Sequence, residues 1–117
     1  MEDYSTKTCE ACNADAPKAS EGSLSNFLAK YSDWSLSHDV AFPQIARVYK
    51  FSKYTLGLEF VNLVAELSDA EGHHPDIILE YGKVTVKWWS HKIKNLHEND
   101  LIMAAKCDLI YNNSNTL

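Results

Sequence analysis

Two adjacent histidines followed by proline, His73-His74-Pro75, and a third histidine at His91 are the residues of this chain best suited to chemistry. Imidazole is the side chain whose unperturbed charge change falls near neutral pH, so it can donate and accept protons there. Three of them on two linked loops suggest acid/base catalysis or a metal. Adjacent histidines in a strand point to opposite faces, whereas in a loop ahead of a strand both can lean into one cleft. Pro75 holds His74 in extended backbone and stiffens the chain there. Asp69 and Glu71 fall in the last turn of the helix predicted just upstream, close to the pair. A nearby carboxylate favours the protonated imidazole and orients its ring.

The elements that must position these groups follow from hydrophobic period. Ser23 can cap a short helix, with Leu24, Phe27, Leu28 and Tyr31 on one face. Trp34 to Ser37 reads as a short strand, Ser37-His38-Asp39 as a turn, and Gln44 to Phe51 as a second strand in which Ile45, Tyr49 and Phe51 share a parity. The strongest helix runs from about Lys53 to Ala70, its stripe formed by Leu56, Phe60, Leu63, Val64 and Leu67, with Gly72 just past its end. Ile77 to Tyr81, Gly82-Lys83 and Val84 to Trp89 read as a hairpin with a tight turn. His91 follows the second strand of that hairpin. Leu96 to Asp100 leads into a last helix with Leu101, Ile102, Ala105 and Leu109 inward.

The predicted fold is therefore α+β: a four-stranded antiparallel sheet with helices packed on one face, in the order helix-strand-strand-helix-strand-strand-helix. Residues 1–22 read as a flexible arm, 23–111 as a single domain and 112–117 as a frayed tail. Trp88 and Trp89 point to opposite sides, so both sheet faces carry large apolar groups, and the sheet is expected to associate with another subunit.

Composition narrows the function classes. A chain of 117 residues with 45% hydrophobic and 23% charged residues suits one globular domain. The net charge of -5 argues against nucleic acid, whose phosphates need a basic face. No apolar run approaches the roughly 20 residues of a membrane span. The acidic opening Met1-Glu2-Asp3-Tyr4 does not read as a secretory signal. Three cysteines give no disulfide framework, so a reduced, cytoplasmic setting is expected.

The stretch from Asp69 to Asp100 resembles the signature of the pterin-4a-carbinolamine dehydratases through Asp69, His73-His74-Pro75, Tyr81, His91 and Asp100. It is similar to the bacterial branch in Glu71 to Asp76, in Gly82 to Val86, in His91-Lys92-Ile93, in Asn99 to Lys106 and in Cys9-Glu10-Ala11-Cys12. The resemblance implies a hydro-lyase that dehydrates 4a-hydroxytetrahydrobiopterin, recycling the tetrahydropterin of phenylalanine hydroxylase without metal or organic cofactor. It implies a homodimer or homotetramer. Carried over by position, His73, His74 and His91 are the catalytic and binding histidines. His73 or His91 is expected to assist hydroxyl departure, and His74 to handle the other proton or hold the ring. Asp69, Gly72, Pro75, Trp89, Ser90, Lys92 and Asp100 are the expected substrate-binding positions. Asp100 could cap the last helix instead, and Trp88 or Trp89 could stack on the flat pterin.

Competing readings attach to the same residues. Histidines at 73, 74 and 91 could be structural, or could form a three-histidine zinc site lacking an evident fourth ligand. Cys9 and Cys12 have metal-like or redox-like spacing but form only one such pair. Cys107 reads as packing, and His38 and His97 as surface or cap residues. The resemblance also leaves open a regulatory module that acts as a dimerisation partner, and a relative in molybdopterin metabolism.

Overall fold

A computed structural model describes residues 21–37, 43–90 and 95–113 of the chain. The arm before residue 21, His38, His91, Lys92 and residues 114–117 lie outside the described residues, as do Cys9 and Cys12. Within them the element order is α1 (Glu21–Lys30), β1 (Ser35–Ser37), β2 (Gln44–Lys50), α2 (Tyr54–Glu71), β3 (Asp76–Glu80), β4 (Lys83–Trp88) and α3 (Glu98–Asn113). The strands form one antiparallel sheet in the order β1-β2-β4-β3. This is the α+β order expected from the sequence.

Strand alternation sets which face is covered. Ile45 and Tyr49 of β2 and Val84, Val86 and Trp88 of β4 are completely buried, and register places Ile45 opposite Trp88 and Tyr49 opposite Val84. Residues opposite one another share a face. The helices α2 and α3 both pack on β4, and α1 packs on α3. On the other face Val48, Thr85 and Ile78 form a row across β2, β4 and β3, with Val48 and Ile78 exposed.

The helix α2 lies close on the sheet because residue 57 is glycine. A Cβ there would sit 3.2 Å from Leu79 Cδ1 and 3.3 Å from Val84 Cγ2, tighter than ordinary van der Waals contact. Its buried stripe is Gly57, Phe60, Val64 and Ser68. Tyr49, Phe51, Phe60 and Tyr111 pack ring against ring, with centroids 4.6 to 6.0 Å apart.

Several local expectations shift. The helix α1 starts at Glu21, two residues into the stretch read as an arm, so Ser23 lies inside it rather than capping it. First-turn N–H groups take no intrahelical partner, so the helix can begin ahead of the serine. Leu63 is exposed, since it sits about 100° round the helix from Val64. The hairpin turn is Tyr81-Gly82 rather than Gly82-Lys83, because Lys83 pairs with Glu80 in the ladder. The last helix continues to Asn113, two residues into the stretch read as a tail.

Leu109 is exposed, and Asp108 turns inward in its place. Asp108 Oδ1 accepts hydrogen bonds from Trp34 Nε1 at 3.0 Å, Arg47 Nη1 at 2.7 Å and Tyr49 Oη at 2.6 Å. The Arg47 guanidinium also lies 4.4 Å from the centre of the Tyr49 ring. Burial first, then the charges of Cys107 and Asp108, push the Tyr49 phenol far up, so it stays protonated and donates. Burial likewise raises the Cys107 thiol, which is a packing group as expected.

Candidate active site

The site begins where α2 stops. Gly72 adopts the left-handed conformation with φ 69°, which a glycine takes without steric cost. Its N–H and that of His73 both donate to Ser68 O. The chain leaves this turn with His73 directed into the core and His74 directed outward. The side chain of His73 is 3% exposed and that of His74 62% exposed. The two histidines therefore do not share one open cleft. They occupy two depths at one place, as alternation along an extended chain entering β3 requires.

His73 stacks on Trp88, with ring centroids 5.5 Å apart and planes at 17°. Its Nε2 lies 2.6 Å from Asp100 Oδ1. The other oxygen, Oδ2, accepts from Ser90 Oγ at 2.8 Å and from the His97 backbone N–H at 2.8 Å. An ionised carboxylate only accepts, so His73 Nε2 carries the hydrogen and donates. This leaves Nδ1 as the ring nitrogen of His73 not engaged by Asp100. Asp100 is completely buried, and three donors from three separate segments offset the cost of placing its charge there.

The outer pair is built the same way from exposed parts. His74 Nε2 donates to Asp69 Oδ1 at 3.0 Å, with the Asp69 side chain 83% exposed. Asp69 comes from the last turn of α2, five residues back. Trp89 Nε1 donates to Asp76 Oδ2 at 3.4 Å. Trp89 and Pro75 are half-buried. Beyond β4, the Ser90 N–H donates to Asn95 O at 2.9 Å, pinning together the two ends of the segment that carries His91 and Lys92.

Most of the expected site residues thus gather at one end of the sheet. His73, Ser90 and Asp100 are bonded together, His74 is paired with Asp69, and Gly72 and Pro75 shape the turn between the histidines. Ser90 is buried and engaged with Asp100, so its hydroxyl serves that carboxylate. Trp88 has no exposed surface and is a core residue, which leaves Trp89 as the tryptophan able to meet a flat ligand. Tyr81 is 83% exposed on the hairpin turn, joined to none of these groups. Asp100 belongs both to the site and to the start of α3. As the third helical residue it accepts the His97 N–H, while Asn99 N–H donates to His97 Nδ1 at 2.9 Å.

That reciprocal arrangement is a capping box with histidine as the cap. His97 is a cap as expected, but buried rather than on the surface. Its signal was available in His97-Glu98-Asn99-Asp100, where an acid stands three residues after the cap position. Asp76 was not singled out, and an aspartate after proline carries no signal of its own. Among the described residues no group of three or more His, Cys, Asp or Glu is placed to hold a metal ion, and no helix is long and apolar enough to cross a membrane.

Comparison with known proteins bears on this site. The family model described as pterin 4 alpha carbinolamine dehydratase matches residues 17–110. A relative from Nitrosococcus oceani, named "Putative pterin-4-alpha-carbinolamine dehydratase", is 47% identical over 108 residues, covering 92% of this chain and 96% of that one. Among solved structures, a transcriptional coactivator/pterin dehydratase from Brucella melitensis superposes with a TM-score of 0.73 at 23% identity, covering 81% of this chain and 99% of that chain. A pterin dehydratase-like protein described as a RuBisCO assembly factor in the alpha-carboxysome superposes with a TM-score of 0.58 at 22% identity, covering 70% and 93%. Those two likenesses concern the fold. The family match and the Nitrosococcus relative go further: this chain belongs to the pterin 4 alpha carbinolamine dehydratase family.

Proposed function

We propose that the chain is a hydro-lyase that dehydrates 4a-hydroxytetrahydrobiopterin to the quinonoid dihydropterin by histidine acid/base catalysis. The carbinolamine carries its own driving group, the lone pair of the adjacent ring nitrogen. That pair forms the carbon–nitrogen double bond as the carbon–oxygen bond breaks. One proton must be given to the departing hydroxyl and one taken from the nitrogen, and exchange with solvent then returns the base's proton and reloads the acid before the next turnover.

The observation that carries this reading is the buried His73–Asp100 pair beneath the His74-Pro75 turn, with a second carboxylate, Asp69, holding His74. A carboxylate on one ring nitrogen fixes the tautomer and stabilises the imidazolium, leaving the other nitrogen for the reaction. In this reading His73 supplies the acid, His74 the base, and His91 completes the set. Trp89 offers the pterin a flat apolar partner, and Lys92 lies on the same segment as His91. No metal or organic cofactor takes part. The product feeds regeneration of the tetrahydropterin used by phenylalanine hydroxylase, in the cytoplasm. The exposed row Val48–Thr85–Ile78 supports a homodimer or homotetramer.

The test is the rate of 4a-hydroxytetrahydropterin dehydration, followed by absorbance in the presence of a chelator. Wild type should accelerate it despite the chelator, and His73→Ala, His74→Ala and His91→Ala should each lose about 10²–10⁴ in rate. A folded wild type with no acceleration over buffer would refute the reading.

A further inference from the structure

We infer that His97 is a positioning residue for proton transfer: its imidazole caps α3 and so holds Asp100 against His73, an inference that rests on the function proposed above. Because Asn99 N–H donates to His97 Nδ1, that nitrogen carries a lone pair. The neutral ring then has its hydrogen on Nε2. Nε2 is buried and has no hydrogen-bond partner among the described residues, and the residue as a whole is 2% exposed.

Serine and asparagine are the commoner caps, and each would also bring a donor of its own. What the cap achieves is placement. It anchors the first turn of α3 through Asn99, while its own backbone N–H lies 2.8 Å from Asp100 Oδ2. A second backbone bond closes the turn, from Asp100 N–H to His97 O at 2.9 Å. With Oδ2 occupied by His97 and Ser90, Asp100 presents Oδ1 to His73. Release of the cap would free the turn that carries this carboxylate, and His73 would lose the group that sets its tautomer.

The experiment compares wild type, His97→Asn and His97→Leu by dehydration kinetics, by long-range proton–nitrogen spectra of the histidine rings and by circular dichroism. Asparagine keeps an acceptor where Nδ1 stands, while leucine fills comparable space without one. Wild-type His97 should read as the tautomer protonated at Nε2. His97→Asn should keep kcat within about threefold and leave the His73 ring signal in place, since asparagine ranks among the best caps. Folded His97→Leu should lose about tenfold or more in kcat, part of what one proton-transfer group contributes, with KM little changed and the His73 signal shifted.

Wild-type kcat with an unchanged His73 signal in His97→Leu would overturn the inference. So would equal damage in His97→Asn, or wild-type His97 protonated at Nδ1. If His97→Leu does not fold, the wild-type tautomer and the His97→Asn spectra decide alone. A wild type inactive as a dehydratase would fail the proposed function, yet the His73 signal would still report on the positioning.

Discussion

Asp100 and Asp108 stand about two turns apart on α3, and both carboxylates are buried. Their surroundings differ in the kind of donor. Asp108 faces a guanidinium, a phenol and an indole, none of which gives up a proton near neutral pH. Asp100 faces an imidazole, a hydroxyl and a backbone amide. Of these donors only imidazole is a side-chain type whose unperturbed charge change falls near neutral pH. The same side chain on one helix therefore ties β2 to α3 at one end and, in the proposed function, serves proton transfer at the other. Burial alone does not mark a functional group. The partner does.

The comparison can be broken from either side. The largest effect is expected at Asp108→Ala, which leaves the largely buried Arg47 side chain with the exposed Asp33, 3.4 Å away, as its counter-charge. Loss of one partner of a buried ion pair costs about 3–5 kcal/mol, a large share of a stability of about 5–15 kcal/mol. Denaturant unfolding should show the loss, and any residual folded protein should keep its turnover. Unfolding at the wild-type midpoint would show that Asp108 does not hold the fold.

His74→Ala should lose about 10²–10⁴ in turnover with its unfolding midpoint little changed, because the ring is exposed and its hydrogen bond to Asp69 lies at the surface. An active His74→Ala enzyme with normal kinetics would remove His74 from the site.

Alkaline pH should act on the Asp108 end. Tyr49 and Cys107 hold their protons in the fold well past their ordinary values of 10.0 and 9.0. The unfolded chain releases those protons first, so it binds fewer protons than the native state. Stability is therefore fully present below about pH 9 and falls above it, by up to about 1.4 kcal/mol per pH unit for each group. Thermal unfolding between pH 8 and 11 reads this directly, and a flat profile would contradict the buried geometry. The smallest effect is expected at Asp69→Asn. An exposed pair is worth under about 1 kcal/mol, so stability should hold while turnover falls modestly through a less well oriented His74.

Legibility in the sequence followed the range of the interactions. The end of α2 at Gly72 and the stripe through Phe60 and Val64 are written in local spacing and stand where expected, and the hairpin does too, with its turn moved by one residue. Alternation makes the opposite directions of His73 and His74 local, but which of the two is buried is not, because that depends on Trp88 lying fifteen positions on and on Asp100 returning from α3. The inward turn of Asp108 was also hidden. Apolar period favours Leu109, but Arg47, 61 residues away, claims the carboxylate. The cap at His97 was half visible, since its position and the acid at Asp100 fit a helix start, whereas its burial depends on the packing around it.

The central claim is that Asp100 serves the chemistry and Asp108 the fold. The most direct measurement is turnover per folded molecule, alongside denaturant unfolding, for Asp100→Asn and Asp108→Asn. Asp100→Asn should remain folded and lose about 10²-fold or more in dehydration rate, while Asp108→Asn should lose stability and keep its turnover. Wild-type turnover in Asp100→Asn, or a catalytic loss of equal size in folded Asp108→Asn, would contradict the account.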